Sequence, residues 1–523
     1  MRIVNLNPLY EQHLAYLDEK AIIPSLWQRE AAKAAAYGDV EFVRTDNMMQ
    51  ALHEMQRLRQ IFLAGLEHDE AFRAEYDRLQ LPSWHDFLSP PVEDALQKSL
   101  AEKLYNLDES QKEVAMIEVA NGSKRIGELL LEQCYGKNAD FVVRVTDPEF
   151  FNLVLKHIPE TEVDNGVTYH NERVANLAAD FLEQVAPPLK KRMLAAAGAV
   201  DGPRVELTST QNSALYSNLV QSYRNRIRSG EIFFTLTETP TPKTAEIDRI
   251  DFKEYTTLFF EMCDQPWQHI TAAQEILIQE LNAAKTLRFT NDDGTDVSLN
   301  VEGFTFCNSV IAKNVPGSEV FSGPERTSVQ GVIVSKGIFV PPTNRNAVIE
   351  NLTLKFNQGA LVEWHADYGQ EHFEQAINVD DGAKFVGEIG IGTNPWLRRH
   401  VSNPLLVEKI GGSFHLALGG SYSFTEYAGV PVHVDNGNRS KIHWDITTML
   451  YGKGGCMYAD GQKIMDNGKF LNPAYDVLNR GWAAIPKEER PVYWQDHPII
   501  KELEQQDPVV ISPKILSQKA LKL

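Results

Sequence analysis

Only four cysteines occur in 523 residues, Cys134, Cys263, Cys307 and Cys456, far apart and with no CxxC pair. That spacing excludes a disulfide framework and a structural zinc knuckle. Long apolar runs are missing too. The first twenty residues, MRIVNLNPLYEQHLAYLDEK, hold no stretch able to act as a signal core, and nothing approaches the roughly 18 apolar residues of a membrane span. Basic charge is in deficit: 51 Lys and Arg face 71 Asp and Glu, a formal net charge of −20. A chain this acidic repels phosphate backbones, so no nucleic-acid partner is expected. The expectation is a cytoplasmic protein without membrane contact.

The common catalytic signatures are absent as well. There is no HExxH helix of a zincin. GxSxG is missing, since GGSFH and GGSYS both break the pattern. The nearest approach to a phosphate loop, Gly461 to Lys469, runs on into Phe470 where Ser or Thr is required. GEIGIGTNP carries glycines without the spacing of a dinucleotide fingerprint. The commonest serine hydrolase, kinase and dehydrogenase chemistries drop out.

What is present changes character along the chain. Residues 1 to about 130 look helical, with apolar positions three and four apart in PSLWQREAAKAAAY, DNMMQALHEMQRLRQIFLAGL and SPPVEDALQKSLAEKLYNL. Pro90 and Pro91 before Val92 suit a helix start, as Asp147 before Pro148 suits a cap. From about 111 to 285 strands (DFVVRVT, RVELTST, EIFFTLT) mix with helices (RIGELLLEQCYG, RVANLAADFLEQV, WQHITAAQEILIQELNAAK). That order predicts an α/β layer with a mainly parallel sheet. Past about 286, short glycine-broken strands predict an antiparallel, strongly curved or barrel-like assembly. The fold class is therefore α/β, α+β taken overall. The expected domains are a helical extension over 1–110, an α/β domain over 111–285 and a β-rich catalytic domain over 286–523, whose C-terminal tail packs against the body.

The chemistry concentrates in that last part. In NRSKIHWDIT, residues 438 to 447, strand alternation sends Ile442, Trp444 and Ile446 to one face and His443 with Asp445 to the other. Alone, such a pair is commonly a solvated contact. Others repeat the pattern: Glu388 in VGEIGIG shares its face with Gly390 and Gly392, and His415 in SFHLALGGSY shares its face with Ala417 and Gly419. Glu319 follows a Pro-Gly turn in NVPGSEVF, and Glu408 precedes a double glycine in LLVEKIGG. Small neighbours on the polar face leave room for a metal with water and substrate. Oxygen-rich donors with two imidazoles suit Zn²⁺, Co²⁺ or Mn²⁺, with Mg²⁺ possible, and six side chains are too many for one tetrahedral ion. Two ions sharing a carboxylate would use them all.

In order and approximate spacing, NVPGSEVF, FVGEIGIG, EKIGGSFHLALGGSY and NRSKIHWDI resemble the signature segments of the thermophilic aminopeptidase T family of metallo-aminopeptidases. The resemblance covers roughly residues 111 to 480, most strongly 230 to 450, TPTPKTAEIDRIDFKEY included. It implies that Glu319, Glu388, Glu408, His415, His443 and Asp445 bind a dinuclear metal centre and that Tyr422 is the active-site tyrosine. It also implies an N-terminal α/β domain, a β-rich catalytic domain and a homodimer enclosing the active sites. Two departures stand out: Ser318 replaces the family's usual glycine, and the link from Glu408 to His415 is longer than in some relatives. The expected function is removal of N-terminal residues from peptides with a free N-terminus. Glu319 or Glu408 would act as the base and Tyr422 would steady the oxyanion. The alternatives are another dinuclear hydrolase, an amidase or phosphoesterase, and a non-catalytic metal-binding interaction protein. A phosphoesterase would add basic residues, of which the motif segments offer only Arg398, Arg399 and Arg439.

Overall fold

The structure, a computed structural model, describes residues 231–505 apart from 311–312 and 345–346. Before residue 231 it describes 3–5, 64–79, 93–105, 114–120, 140–146, 161–164, 167–170, 189–198 and single positions between them. The helices expected over 24–37 and most of 46–66 lie outside the described residues. So do the helix at 173–185, the strand at 204–210, the cap at Asp147 and the tail beyond 505. The chain forms two compact units, Met1–Lys243 and Thr244–Leu523.

The first unit is built on a parallel sheet of β1 (Ile3–Asn5), β2 (Val114–Ala120), β3 (Asp140–Thr146), β6 (Leu189–Ala197) and β7 (Phe233–Thr239). Their spatial order is β1-β3-β2-β6-β7. A hairpin of β4 (Thr161–Asp164) and β5 (Val167–His170) stands apart from it. Every pairing in the five-stranded sheet is parallel, as the alternation of strands and helices predicts. Two of the strands, Ile3–Asn5 and Val114–Ala120, fall where the spacing reads as helical. A short apolar run such as VAMIEVA does not separate a buried strand from a helix turn by periodicity. Helices α1 (Glu70–Leu79) and α2 (Asp94–Leu104) accompany the sheet, and Thr235 of β7 donates from Oγ1 to Leu104 O at 2.6 Å.

In the second unit, α3 (Phe252–Cys263) is capped by the Asp251 carboxylate, which accepts from Glu254 N at 3.0 Å. In α4 (Trp267–Ala283), Trp267, Ile270, Ala273, Leu277 and Leu281 make the buried stripe that helical spacing requires, with Gln274 buried among them. An eight-stranded sheet follows the order β14-β13-β12-β9-β8-β20-β21-β22. It uses β8 (Thr286–Thr290), β9 (Asp296–Asn300), β12 (Gln330–Phe339), β13 (Ile349–Asn357), β14 (Ala360–Tyr368), β20 (Cys456–Ala459), β21 (Gln462–Asp466) and β22 (Lys469–Phe470). A second sheet runs β10-β11-β15-β16-β19. Its strands are β10 (Cys307–Ser309), β11 (Glu319–Ser322), β15 (Val386–Gly392), β16 (Ser413–Gly419) and β19 (His443–Met449). A two-residue pair, β17 (Glu426–Tyr427) and β18 (Val430–Pro431), lies beyond β16.

Both sheets are antiparallel, as expected, and among the described residues each has a linear strand order. Glycine-broken strands signal curvature, but closure depends on which edge strands pair, and spacing does not encode that. The layers share one apolar core. Ile389, Ile391, Phe414, Leu416, Leu418 and Ile446 from the second sheet meet Leu287, Phe289, Val297, Ile333 and Leu354 from the first. Phe289 and Phe414 stack with centroids 4.1 Å apart. The Val492–Gln495 helix packs against this unit: Trp494 is fully buried and donates from Nε1 to Asp264 Oδ2 at 2.8 Å. Among the described residues no helix is long and apolar enough to cross a membrane.

Candidate metal centre

Register in the second sheet decides which side chains meet. Across it, Glu319 faces Gly392, Gly390 faces His415, Glu388 faces Ala417, Ala417 faces Asp445, and Gly419 faces His443. Side chains two apart on a strand share a face, so Glu319, Glu388, His415, His443 and Asp445 all rise from the side opposite the apolar core. The same alternation that buries Ile389, Leu416 and Ile446 therefore builds the polar cluster. One expectation changes here. The space beside Gly390 does not hold water or substrate: a Cβ there would lie 2.2 Å from Cε1 and Nε2 of His415, so the imidazole itself occupies it. Glycine at 390 lets the ring lie flat across the neighbouring strand.

The polar atoms converge. His415 Nε2 lies 3.5 Å from Glu388 Oε1, 3.7 Å from Glu319 Oε2 and 3.8 Å from Asp445 Oδ1. His443 Nε2 lies 3.0 Å from Glu388 Oε2 and 3.6 Å from Asp445 Oδ1. Two three-donor groups result, Glu319–Glu388–His415 and Glu388–His443–Asp445, each with its ligand atoms within 4.8 Å of one another. Glu388 belongs to both. Glu319 Oε2, Glu388 Oε2, both nitrogens of His415 and Asp445 Oδ1 are buried without a hydrogen-bond partner. Even the 3.0 Å approach of His443 to Glu388 lacks hydrogen-bond alignment, as expected of donors aimed at a common point rather than at each other. Unpaired buried polar atoms are costly, and five in one spot call for a ligand.

Orientation comes from behind. His443 Nδ1 is 2.7 Å from Gly420 O, the contact that makes Nδ1 the protonated nitrogen and leaves the Nε2 lone pair facing the carboxylates. Lys409, fully buried, donates from Nζ to Glu319 Oε1 and to Glu408 Oε2, each at 2.5 Å. Glu319 thus has one oxygen committed and the other turned to His415. Its backbone is held through Ser318, whose φ of +104° lies in the region that favours glycine. The Ser318 hydroxyl is within 2.8 Å of Thr393 Oγ1, to which Gln274 Nε2 donates at 2.8 Å. This buried network holds Ser318 in place. Lys409, Gln274 and Thr393 were not singled out in the sequence. A lysine after a glutamate reads as surface, and only the polar Gln274 on the apolar stripe of α4 signalled a buried partner.

Burial raises Glu319 to about 7, with Lys409 opposing and Glu408 adding to the rise. Burial, reinforced by Glu408, raises Asp445 to about 8. Burial disfavours charge on Glu388 too, but His415 and His443 outweigh it and bring the carboxyl to about 2. The carboxylates also outweigh burial at His415, raising it to about 9. Negative charge crowds this site, and its acids and imidazoles are the donor set that divalent cations take. The residues fit divalent metal ions.

Glu408 and Tyr422 complete the surroundings. Glu408, which caps the C-terminus of α5 (Pro404–Val407), is partly exposed and meets the cluster through Lys409 rather than within either three-donor group. Tyr422 folds back over the site, its ring centroid 5.5 Å from that of His443 and 5.2 Å from that of Phe321. Burial and the surrounding acids, Glu388 first, raise its hydroxyl well above the usual tyrosine value, so it stays a donor at neutral pH.

A mixed α/β protein with a candidate metal-binding face on an antiparallel sheet is the class this geometry defines. The chain belongs to the thermophilic metalloprotease (M29) family, whose model matches residues 98–470. Aminopeptidase AmpS of Bacillus subtilis is 30% identical over 131 residues, 24% of this chain and 30% of that protein. Aminopeptidase T of Thermus thermophilus is 27% identical over 180 residues, 32% of this chain and 42% of that protein. The chain thus matches less than half the length of these relatives at the sequence level. In structure, wild-type AmpT from Thermus thermophilus matches with a TM-score of 0.54 at 17% identity, over 73% of this chain and all of that one, a likeness of fold.

Proposed function

We propose that the protein is a metal-dependent aminopeptidase that releases N-terminal residues from peptides through a dinuclear centre. The observation that carries this reading is Glu388, common to two three-donor groups whose atoms point at shared positions. Glu319 and His415 would hold one cation, His443 and Asp445 the other, with Glu388 between them. When bound, such cations supply Lewis acidity, polarising the scissile carbonyl and lowering the pKa of a water. Zn²⁺, Co²⁺ and Mn²⁺ suit the donors best, and Mg²⁺ less well.

The chain's own residues do the rest. Glu408 stands outside both donor groups and keeps one oxygen free of Lys409, so it is the base that accepts the water's proton. Glu319, which sequence alone left as an equal choice, has one oxygen on Lys409 and the other among the donors, and serves as a ligand. The Tyr422 hydroxyl donates to the oxyanion as the carbonyl becomes tetrahedral. Four carboxylates around one committed lysine favour the α-ammonium group of a free N-terminus.

A phosphoesterase finds less support. Arg439 is paired with Asp435, Arg399 with Glu254, and Arg398 donates to the carbonyls of Pro395, Leu478 and Asn479. None is placed to neutralise a phosphoryl group. A homodimer working in the cytoplasm belongs to the same reading, and molar mass by light scattering tests the first part. The direct test follows amino-acid release from unblocked and N-acetylated peptides after metal removal and restoration with Zn²⁺, Co²⁺ or Mn²⁺. Release from unblocked peptides alone, and only with metal, is expected. Equal cleavage of acetylated peptides would exclude an aminopeptidase.

A further inference from the structure

The donor face is not equally open along its length. His415 is wholly buried and Glu388 3% exposed, whereas the side chain of Asp445 is 12% and that of His443 34% exposed. Solvent, and hence substrate, reaches the cluster from the β19 side, and β19 is an edge strand of its sheet. A cavity of about 130 Å³ lies on that side with His443 and Asp445 in its wall. Its apolar lining includes Ile338 at the end of β12, Val340, Pro341 and Pro342 just after it, and Pro404 and Val407 from α5. A larger cavity of about 790 Å³, near Glu261 and His497, borders none of the donors.

We propose that this smaller cavity receives the side chain of the substrate's N-terminal residue and selects aliphatic side chains of leucine or methionine size. The proposal rests on the aminopeptidase reading and names its substrate class. An α-ammonium group drawn to the carboxylates shares its Cα with the N-terminal side chain, so that side chain falls against whichever wall adjoins them. Here the wall is apolar. Three prolines fix their own backbone and offer no N–H, so this part of the wall is stiff and lacks backbone donors for a polar side chain. Ser402 is a further polar residue in the lining, and its N–H is already given to Asp248 at 2.7 Å. On size, an apolar cavity of about 150 Å³ holds benzene, so one of 130 Å³ accepts a branched aliphatic or thioether chain and rejects an indole.

The test uses the metal-loaded full chain and peptides X-Ala-Ala, with X as Gly, Ala, Leu, Met, Trp or Glu, reading kcat/KM. Leu and Met are expected to exceed Gly by about 10²-fold and Trp by at least about tenfold, the range that a few methylenes are worth in an apolar pocket. Val340→Phe, which fills the cavity, should lower the Leu-to-Ala ratio about tenfold. Ile338→Ala, which enlarges it, should move the preference toward Phe. Metal content is measured on each variant to show that the donors are intact. Ratios that stay parental in both variants overturn the proposal, as does a preference set by the second residue rather than by X. A parent that releases no N-terminal residue from any peptide overturns the aminopeptidase reading itself, whereas turnover indifferent to the cavity overturns only this inference.

Discussion

Lys409 carries one charge between two glutamates, and that placement settles more of the local chemistry than any ligand residue does. It leaves Glu319 with one oxygen for the cluster and sets Glu408 at its margin. Lys409→Met would leave Glu319 buried without its counter-charge. Loss of one partner of a buried pair costs about 3–5 kcal/mol, so denaturant unfolding should register a fall of that order, with weakened metal binding. Parental stability would show the pair to be dispensable. Tyr422 makes a different demand. If its hydroxyl acts on the oxyanion, Tyr422→Phe keeps the ring against Phe321 and should lower kcat on the order of 10²–10³-fold with a modest change in KM. Parental kcat would make the tyrosine a packing residue. Glu319, His415 and the His443–Asp445 pair stood out in the sequence because strand alternation displays them. Lys409 did not, because its meaning lies in a contact across 90 positions.

At the scale of elements, the site is a property of one sheet in register. The paired strands β15 and β16 place Gly390 opposite His415, and the ring fills the glycine's space. Gly390→Ala should therefore expel the imidazole and lower metal content by about half, since one of the two donor groups loses its histidine. Metal analysis by atomic absorption on the folded variant reads this directly. Full occupancy would mean that His415 has another position from which to ligate. Individual strands were legible in the sequence wherever apolar and polar residues alternate, from TLRFT to HWDIT. Which strands are neighbours was not, because β11, β15, β16 and β19 are joined by long connections whose pairing no local pattern records. Nor was β1, whose three residues earn their place only by pairing with β3.

For the whole molecule, charge and burial together shape the response to acid. His400 is held against Phe339, ring centroids 4.8 Å apart, with Nε2 buried and unpaired. Burial lowers its pKa from 6.5 to about 4. The unfolded chain therefore binds a proton that the folded chain refuses, so this histidine costs nothing above pH 6.5 and destabilises progressively as pH falls from there toward 4. The full effect is up to about 3 kcal/mol. His400→Phe should flatten that part of the stability–pH curve, as urea midpoints at pH 7 and pH 5 would show, and an unchanged slope would assign the loss to other groups. The fold class was legible at this scale because parallel and antiparallel regions differ in their periodicity. The order of strands within the β-rich layers was not, since it depends on the same long-range pairings.

The central claim is that Glu388 stands between two cation positions, and metal stoichiometry tests it most directly. Apo-protein titrated with Zn²⁺ and followed by calorimetry should bind two ions per chain. Glu319→Gln and His443→Ala should each remove about one, and Glu388→Gln should weaken both together. Two ions still bound with parental affinity in Glu388→Gln, or a single ion in the parent, would contradict the account.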